Sequence, residues 1–239
     1  MEAKPSALQT IGERFEDVRA RINAAAERAS RAPDEIKLIA ISKTHGAAIV
    51  IETLAAGVTD LGENRVQEAE SKINEIGRNT ARWHLVGHLQ TNKARRAVEL
   101  FDVIHSVDSV ALIEKLERIC VEAERGELPV LVQVDLAGEQ TKSGVDSASL
   151  PTLLDAFTVC DRVRLVGLMT LPPFFEDPEC TRPFFKALRE LRDELKAQGH
   201  FQGPGELSMG MSHDFEVAVE EGATMVRVGT SIFGERSEL

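Results

Sequence analysis

The sequence predicts an α/β protein, a single (β/α)8 barrel of the TIM type with an extra N-terminal helix. After Pro33, short apolar runs alternate with longer amphipathic stretches, and this unit recurs eight times. Such alternation gives parallel strands joined by right-handed crossovers, and eight units in about 200 residues are near the lower size limit of this barrel. A doubly wound open sheet is the alternative, but no GxGxxG motif follows the first strand.

The first predicted element is a helix over residues 6–30, in which an apolar residue recurs every three or four positions, at Ile11, Phe15, Val18 and Ile22. Eight strands are predicted after it, at 38–42, 60–62, 83–87, 103–107, 130–134, 165–169, 206–208 and 225–228. A helical pattern follows each of the first seven strands, and a short segment follows the eighth. We therefore expect residues 1–239 to form one domain.

Composition excludes several classes of function. The 239 residues carry a formal net charge of −11, so the basic face that nucleic acid or an anionic membrane requires is not expected. No apolar segment approaches the roughly 20 residues that span a bilayer, and the N-terminus lacks the apolar core of a signal peptide. Three cysteines without CxxC spacing indicate reduced thiols and no metal site. These features predict a cytoplasmic protein.

A lysine directly follows the first predicted strand, in the segment ISKTH (41–45). The active site of a β/α barrel lies at the C-terminal ends of its strands, so Lys43 is predicted to lie at the barrel mouth. A lysine that loses hydration there becomes a better nucleophile, which is what Schiff-base chemistry requires. A solvated lysine at a strand end is the simpler interpretation of the same position.

The seventh and eighth predicted strands both end in small, hydroxyl-rich turns, at 208–212 and 229–231. Turns of this kind present backbone N–H groups to an anion, and phosphate sites in this fold favour the loops after the last two strands. An N-cap at Ser212 and a tight turn at Gly229 are the structural alternatives. A reactive lysine across from a phosphate-binding turn fits pyridoxal 5′-phosphate (PLP), and it fits a substrate of a Schiff-base aldolase equally well.

Eight segments match one known protein family in the same order along the chain: AISKTH (40–45), DLGENRVQE (60–68), WHLVGHLQTNK (83–93), IHSVDS (104–109), TKSGV (141–145), GLMTL (167–171), LSMGMSHDF (207–215) and VRVGTSIFGER (226–236). On these segments the chain resembles the pyridoxal phosphate homeostasis proteins (the YggS/PROSC group), which are related to the N-terminal barrel of alanine racemase. WHLVGHLQTNK and SMGMS are individually specific, and the matches span nearly the whole chain.

The resemblance implies PLP as the cofactor, bound as a Schiff base on Lys43, with Ser212, Gly229 and Thr230 holding its phosphate. Arg227 would face the pyridine nitrogen. Because a guanidinium stays protonated, it would discourage protonation of that nitrogen and make the ring a weaker electron sink. A salt bridge at the strand end is the alternative interpretation of Arg227.

The resemblance also implies that Asn64 lies near the cofactor ring or its 3′-oxygen, and that His84 and Met209 line the pocket. A hydrogen-bonded core histidine is the alternative for His84. Lys142 matches a family lysine connected with cofactor handling, and an exposed loop lysine is its alternative. His45 stands where the family commonly has a second lysine, so the entrance to the pocket would be less basic.

For function, the resemblance implies a non-catalytic protein that buffers PLP and delivers it to apo-enzymes, as a monomer or weak dimer. The alternative is a PLP-dependent amino-acid racemase. A two-base racemase needs a second proton carrier opposite Lys43, and enzymes like alanine racemase use a tyrosine that comes with an additional β domain. This chain has no tyrosine and only a short segment after Thr230. We therefore expect no catalytic residues and negligible racemase activity.

Overall fold

The computed structural model describes residues 9–138 and 143–234. Eight parallel strands pair in sequence order, and the last pairs with the first, so the sheet closes into a barrel. The strands are β1 (Lys37–Ile41), β2 (Asp60–Glu63), β3 (Arg82–Leu85), β4 (Val103–Val107), β5 (Leu128–Gln133), β6 (Val163–Met169), β7 (Glu206–Met211) and β8 (Met225–Val228). The predicted (β/α)8 barrel is confirmed.

One helix precedes the barrel, and a helix follows every strand. The helices are α1 (Ile11–Arg28), α2 (Ala47–Ala55), α3 (Val66–Ile76), α4 (Ala94–Leu100), α5 (Val110–Glu122), α6 (Leu150–Phe157), α7 (Arg182–Ala197), α8 (Phe215–Glu220) and α9 (Thr230–Phe233). Within the two described ranges, none of these helices combines the length and the apolar character needed to cross a lipid bilayer.

Helix α1 begins at Ile11, later than the predicted start at residue 6; residues 6–8 lie outside the described part of the chain. A capping box sets this start. The Thr10 hydroxyl accepts a hydrogen bond from the Glu13 backbone N–H at 3.2 Å, and the Glu13 carboxylate accepts one from the Thr10 backbone N–H at 2.7 Å. The apolar face of α1 packs against α8 and α9, so the helix covers the seam where β8 meets β1.

Strand β7 is longer than predicted and contains an irregularity that shapes the site. Its register against β8 shifts between Ser208 and Met211, where three steps along β7 match two along β8. Gly210 lies in this bulge with φ +90°, and a Cβ there would lie 2.6 Å from the Ala218 side chain. Only glycine satisfies both constraints, so SMGMS is a bulged strand end that carries its last residues to the barrel mouth.

The inside of the barrel is partly apolar and partly polar. Two small apolar clusters occupy it, one formed by Ile39, Ile41, Val86 and Met225 and one by Val103, Leu131 and Met169. Buried polar side chains lie on the same strands, namely Asp60, His84, His105, Ser208 and Arg227. The main hydrophobic core lies outside the sheet, between strands and helices. The barrel mouth therefore lies above an interior that contains buried polar side chains as well as apolar ones.

Close packing of β6 against β7 gives a first testable prediction. A Cβ on Gly167 would lie 2.1 Å from the Glu206 carbonyl oxygen, which is backbone and has no room to move. We expect Gly167→Ala to lower the free energy of unfolding by about 1–3 kcal/mol, measured by urea denaturation. The control is Gly126→Ala, where no atom lies within 4 Å of the added Cβ. Equal stability of the two variants would contradict this packing.

Candidate functional site

A cavity of about 660 Å³ opens at the C-terminal ends of the strands; we call it the main cavity. Its size is in the range of small-molecule and cofactor pockets. Six of the eight site residues predicted from the sequence line it: Lys43, Asn64, Ser212, Arg227, Gly229 and Thr230. His45, expected at the pocket entrance, lines it as well, and the other lining residues include His88, Gln133, Leu171, Phe174 and Met211, which were not expected there.

Two predicted site residues, His84 and Met209, do not line the main cavity. His84 is fully buried in β3 and bonds to Asp60 and His105 inside the barrel, as its alternative interpretation as a hydrogen-bonded core histidine describes. Met209 is fully buried in the core outside the sheet, because side chains alternate along β7 and Ser208 takes the inward position. Lys142 lies outside the described residues.

Lys43 is half-buried in a tight turn that ends β1. The His45 backbone N–H donates to the Ser42 carbonyl oxygen at 3.1 Å, and Thr44 between them has φ +69°. A left-handed conformation is uncommon for residues other than glycine, and such residues concentrate at functional sites. The turn places Lys43 on the wall of the main cavity.

A buried ion pair supports this turn from below. Lys72 of α3 donates to the Ser42 carbonyl oxygen at 2.6 Å and to the Glu63 carboxylate at 2.5 Å. The Ser42 hydroxyl donates to the same Glu63 oxygen at 2.5 Å. Burial raises the pKa of Glu63, and the contacts with Lys72 and Ser42 oppose that rise. The residue before Lys43 is thereby tied to β2 and α3.

Sequence reasoning missed this ion pair. A lysine in a helix is usually solvated, and Glu63 stands in a strand otherwise identified by its apolar residues. The position of Lys72 in the helix could have indicated it. Lys72 lies on the apolar face of α3, three residues after Ala69 and one before Ile73, and all three side chains are buried. A lysine on a core-facing stripe indicates a buried acidic partner.

The turns after β7 and β8 come together, as their sequences predicted. The Ser212 hydroxyl oxygen accepts hydrogen bonds from the backbone N–H groups of Gly229 at 3.1 Å and Ser231 at 3.3 Å. These amides therefore already have an acceptor, whereas the sequence analysis expected them to be free. Since Ser212 accepts both bonds, its own hydroxyl proton remains to be donated.

Two glycines shape the rim of the main cavity. A Cβ on Gly229 would make only ordinary contacts, at 3.5 and 3.6 Å from Ile41, so packing within the chain does not demand glycine there. Its bare backbone leaves room for a ligand to approach. By contrast, a Cβ on Gly87 would lie 2.3 Å from the Asn64 carbonyl oxygen. Gly87 thus lets β3 pass close beside Asn64 and hold it at the cavity.

Arg227 places a buried cation at the floor of the main cavity. Its Nη1 donates to the Ser208 hydroxyl at 2.6 Å and its Nη2 to the Thr170 carbonyl oxygen at 2.9 Å. Burial lowers the pKa of Arg227 to about 10, with Asp214 opposing, so the guanidinium stays protonated at neutral pH. No carboxylate among the described residues pairs with it at salt-bridge distance, so the salt-bridge alternative does not hold there.

His45, the residue at the family's second lysine position, lines the main cavity and stacks on Phe233 of α9 with ring centroids 4.7 Å apart. Across the mouth, Phe174 of the loop after β6 contacts His213 at 5.2 Å, and 78% of Phe174 is exposed. The entrance is thus lined by imidazole and aromatic rings.

Comparison with known proteins assigns the chain to a family. Residues 15–237 match the family model described as the N-terminal domain of alanine racemase. The pyridoxal phosphate homeostasis protein of Aquifex aeolicus (strain VF5) is 43% identical over 224 residues, which cover 94% of this chain and 97% of that relative. The chain belongs to the family of pyridoxal phosphate homeostasis proteins, within the group that shares the alanine racemase barrel.

Solved structures agree with this assignment. PipY of Synechococcus elongatus PCC7942, in its structure with PLP bound, is 42% identical with a TM-score of 0.83, and the match covers 94% of this chain and all of PipY. Alanine racemase of Corynebacterium glutamicum is 16% identical with a TM-score of 0.64, and the match covers 92% of this chain but 61% of that enzyme. The second likeness concerns the barrel fold alone.

The ion pair below Lys43 gives a second prediction. Lys72→Met leaves the Glu63 carboxylate buried without a cation, and we expect it to lower the free energy of unfolding by about 3–5 kcal/mol at pH 8. The double variant with Glu63→Gln should recover part of this loss. Both effects are measurable by urea denaturation.

The loss in Lys72→Met should also depend on pH. The pKa of Glu63 is raised by burial, so the folded protein takes up this proton at a higher pH than the unfolded chain does. Protonation removes the uncompensated charge, and the stability gap to the wild type should narrow between pH 8 and pH 5. A gap that is constant with pH would show that Glu63 is not the group left unpaired.

Proposed function

We propose that the protein binds PLP reversibly as a Schiff base on Lys43, and that it buffers and delivers the cofactor without catalysing a reaction of its own. The observation that carries this proposal is the convergence of Lys43, Arg227 and the Ser212–Gly229 contact on one cavity. The whole chain, residues 1–239, would act as one PLP-binding domain. The structure of PipY with PLP bound and the names of the curated relatives support it.

The residues present fit the chemistry of PLP. The Ser212 hydroxyl has a proton to donate to a phosphate, Thr230 lines the same cavity, and the bare backbone at 229 leaves room for the phosphate. The Gly229 amide, which here donates to Ser212, would turn to the phosphate when it binds. Lys43 supplies the amine. Arg227 supplies a buried positive charge in a cavity that would receive a dianion. Asn64, beside Gly87, would contact the ring or its 3′-oxygen.

Arg227 favours binding of the cofactor without catalysis. Bound PLP supplies an aldehyde for exchange between amines and a ring that withdraws electrons when its nitrogen is protonated. Arg227 remains protonated at neutral pH, so it would donate to that nitrogen and disfavour its protonation. The chain also contains no tyrosine to act as a second base. Amine exchange at Lys43 stays possible, while the ring becomes a weaker electron sink for proton removal from an amino acid.

Delivery requires that an incoming amine reach the Schiff base. Lys43 is half-buried, Thr230 on the neighbouring turn is exposed, and the main cavity is open to solvent. We propose apo-enzymes that require PLP as the recipients, with the protein acting in the cytoplasm as a monomer or weak dimer. The three cysteines are all unpaired, two of them buried, which fits a reducing compartment.

The attachment point gives a third prediction. Purified protein incubated with PLP should be yellow, and Lys43→Ala should abolish the absorption band while Lys186→Ala, which removes an exposed lysine of α7, should retain it. After borohydride reduction, peptide mapping should find the pyridoxyl adduct on Lys43. An adduct on another lysine would refute the assignment, and a colourless protein would favour the Schiff-base aldolase.

The phosphate contact gives a fourth prediction. Ser212→Ala removes a donor to the phosphate and the acceptor that aligns two amides, so we expect the affinity for PLP to fall about ten- to a hundredfold. The affinity for pyridoxal, which lacks the phosphate, should change little. Titration of both ligands separates the effects, and an equal loss for both would place the phosphate elsewhere.

The racemase alternative can be tested directly. Incubation of the PLP-loaded protein with alanine in deuterated water should give negligible exchange of the α-proton by NMR, because the chain has no tyrosine to act as the second base. Rapid exchange that disappears in Lys43→Ala would establish an enzyme in place of a carrier.

A further inference from the structure

Five buried polar side chains form one continuous chain of hydrogen bonds through the barrel. From the main cavity downward, the bonded pairs are Arg227 Nη1 with Ser208 Oγ at 2.6 Å, Ser208 Oγ with His105 Nδ1 at 2.8 Å, His105 Nε2 with His84 Nδ1 at 2.9 Å, and His84 Nε2 with Asp60 Oδ1 at 2.9 Å. The chain links strands β8, β7, β4, β3 and β2. Of these residues, Arg227 lines the main cavity.

The far end of the chain reaches the opposite end of the barrel. Asp60 stands at the start of β2 and borders a second cavity of about 690 Å³, which Lys37 of β1 and Arg19 of α1 also line. The Asp60 carboxylate also accepts a hydrogen bond from the Thr59 hydroxyl at 2.7 Å. A buried cation at one mouth and a carboxylate at the other are thus joined by three side chains.

The chemistry of the partners fixes the direction of the lower bonds. Burial disfavours the ionised form of Asp60, but hydrogen bonds from His84 and Thr59 outweigh it, and the pKa of Asp60 is lowered. The carboxylate therefore accepts, and His84 donates from Nε2. Burial lowers the pKa of His84, so this imidazole is neutral and its Nδ1 must accept from Nε2 of His105.

The protonation states of the partners also fix the direction of the upper bonds. Burial holds the pKa of His105 well below its usual value, so this ring is also neutral and its Nδ1 accepts from the Ser208 hydroxyl. The Ser208 oxygen is then free to accept from Arg227, whose guanidinium can only donate. Every donor points from the main cavity toward Asp60, and no link can be reversed without breaking a bond.

We propose that Asp60, His84, His105 and Ser208 form a one-way hydrogen-bond relay that positions Arg227, and so controls how its remaining N–H groups meet the ring nitrogen of the cofactor. The proposal rests on the proposed function. The relay holds Nη1 while the Thr170 carbonyl oxygen holds Nη2, so the guanidinium plane is fixed from two sides. These four residues are positioning residues, because Arg227 and not they would touch the cofactor.

The relay explains why the barrel interior carries two histidines. If a carboxylate accepted directly from Arg227, its negative charge would offset the positive charge of the guanidinium. Instead, two neutral imidazoles connect Asp60 to Arg227 through hydrogen bonds. The positive charge of the guanidinium therefore remains at the cavity. A serine at 208 is the one member that both accepts from the cation and donates to a ring nitrogen.

The first test uses PLP-free wild-type protein, and variants serve only to assign the resonances. The ¹⁵N NMR spectrum at pH 7, with resonances assigned by His84→Gln and His105→Gln, should show both rings neutral and both carrying their proton on Nε2. A charged ring, or a proton on Nδ1 of either ring, would overturn the relay.

The second test uses PLP labelled with ¹⁵N in the ring. In Ser208→Ala, Arg227 Nη1 loses its acceptor, and the ring-nitrogen resonance should move downfield toward that of a pyridine without a hydrogen-bond donor. Ser208→Thr keeps a hydroxyl and should restore the wild-type position. Thr53→Val is the control, because it removes a buried hydroxyl on α2 that donates to the Ile49 carbonyl oxygen, away from the relay.

The outcomes separate the two proposals. If the Ser208→Ala protein keeps the wild-type ring-nitrogen resonance and loses only as much stability as Thr53→Val, the hydrogen bonds do not position Arg227 and are merely structural. If wild-type protein binds no PLP, the proposed function fails, and the histidine tautomers of the PLP-free protein still decide whether the relay exists.

Discussion

Closure of the barrel between its first and last strands is the constraint on which the site depends. Strand β8 pairs with β1 in parallel register, with Ile39 opposite Arg227 and Ala40 opposite Val228. Because paired parallel strands end side by side, the turn that carries Lys43 lies next to the turn that begins at Gly229, although most of the sequence separates them. Helix α1 secures this seam, where Arg14 donates to the Ile232 carbonyl oxygen at 2.7 Å.

Buried charge is the second feature of the design. Lys72 and Glu63 lie beneath the β1 turn, and Arg227 lies beneath the cavity floor, each with hydrogen bonds that offset part of the cost of burial. Such groups do little for net stability, but they hold the functional side chains in one geometry. A site that is rigid, carries a protonated arginine at its floor and lacks a tyrosine base suits retention and release of a reactive aldehyde.

Periodicity predicted all eight strands, because the outward side chains of each strand pack in one continuous core. The hydroxyl-rich turns predicted a phosphate site at the ends of adjacent strands, and the structure brings Ser212 and Gly229 of these turns into contact. Two predicted residues do not line the main cavity, for a local reason: alternation along a strand turns Met209 outward, and His84 lies one layer below the cavity. The bond between His105 and Ser208 could not be predicted, since residues so far apart in the chain meet only through the barrel register.

The fold itself does not decide the function, since a barrel 16% identical in sequence serves as part of an alanine racemase. The decisive claim is that one small aldehyde bridges the amine of Lys43 and the turn formed by Ser212 and Gly229. A crystal structure of the PLP-loaded protein tests it most directly. We predict continuous density from Lys43 Nζ to a phosphate group bonded by Ser212 and the Gly229 amide. PLP attached elsewhere, or a phosphate remote from this turn, would contradict the account.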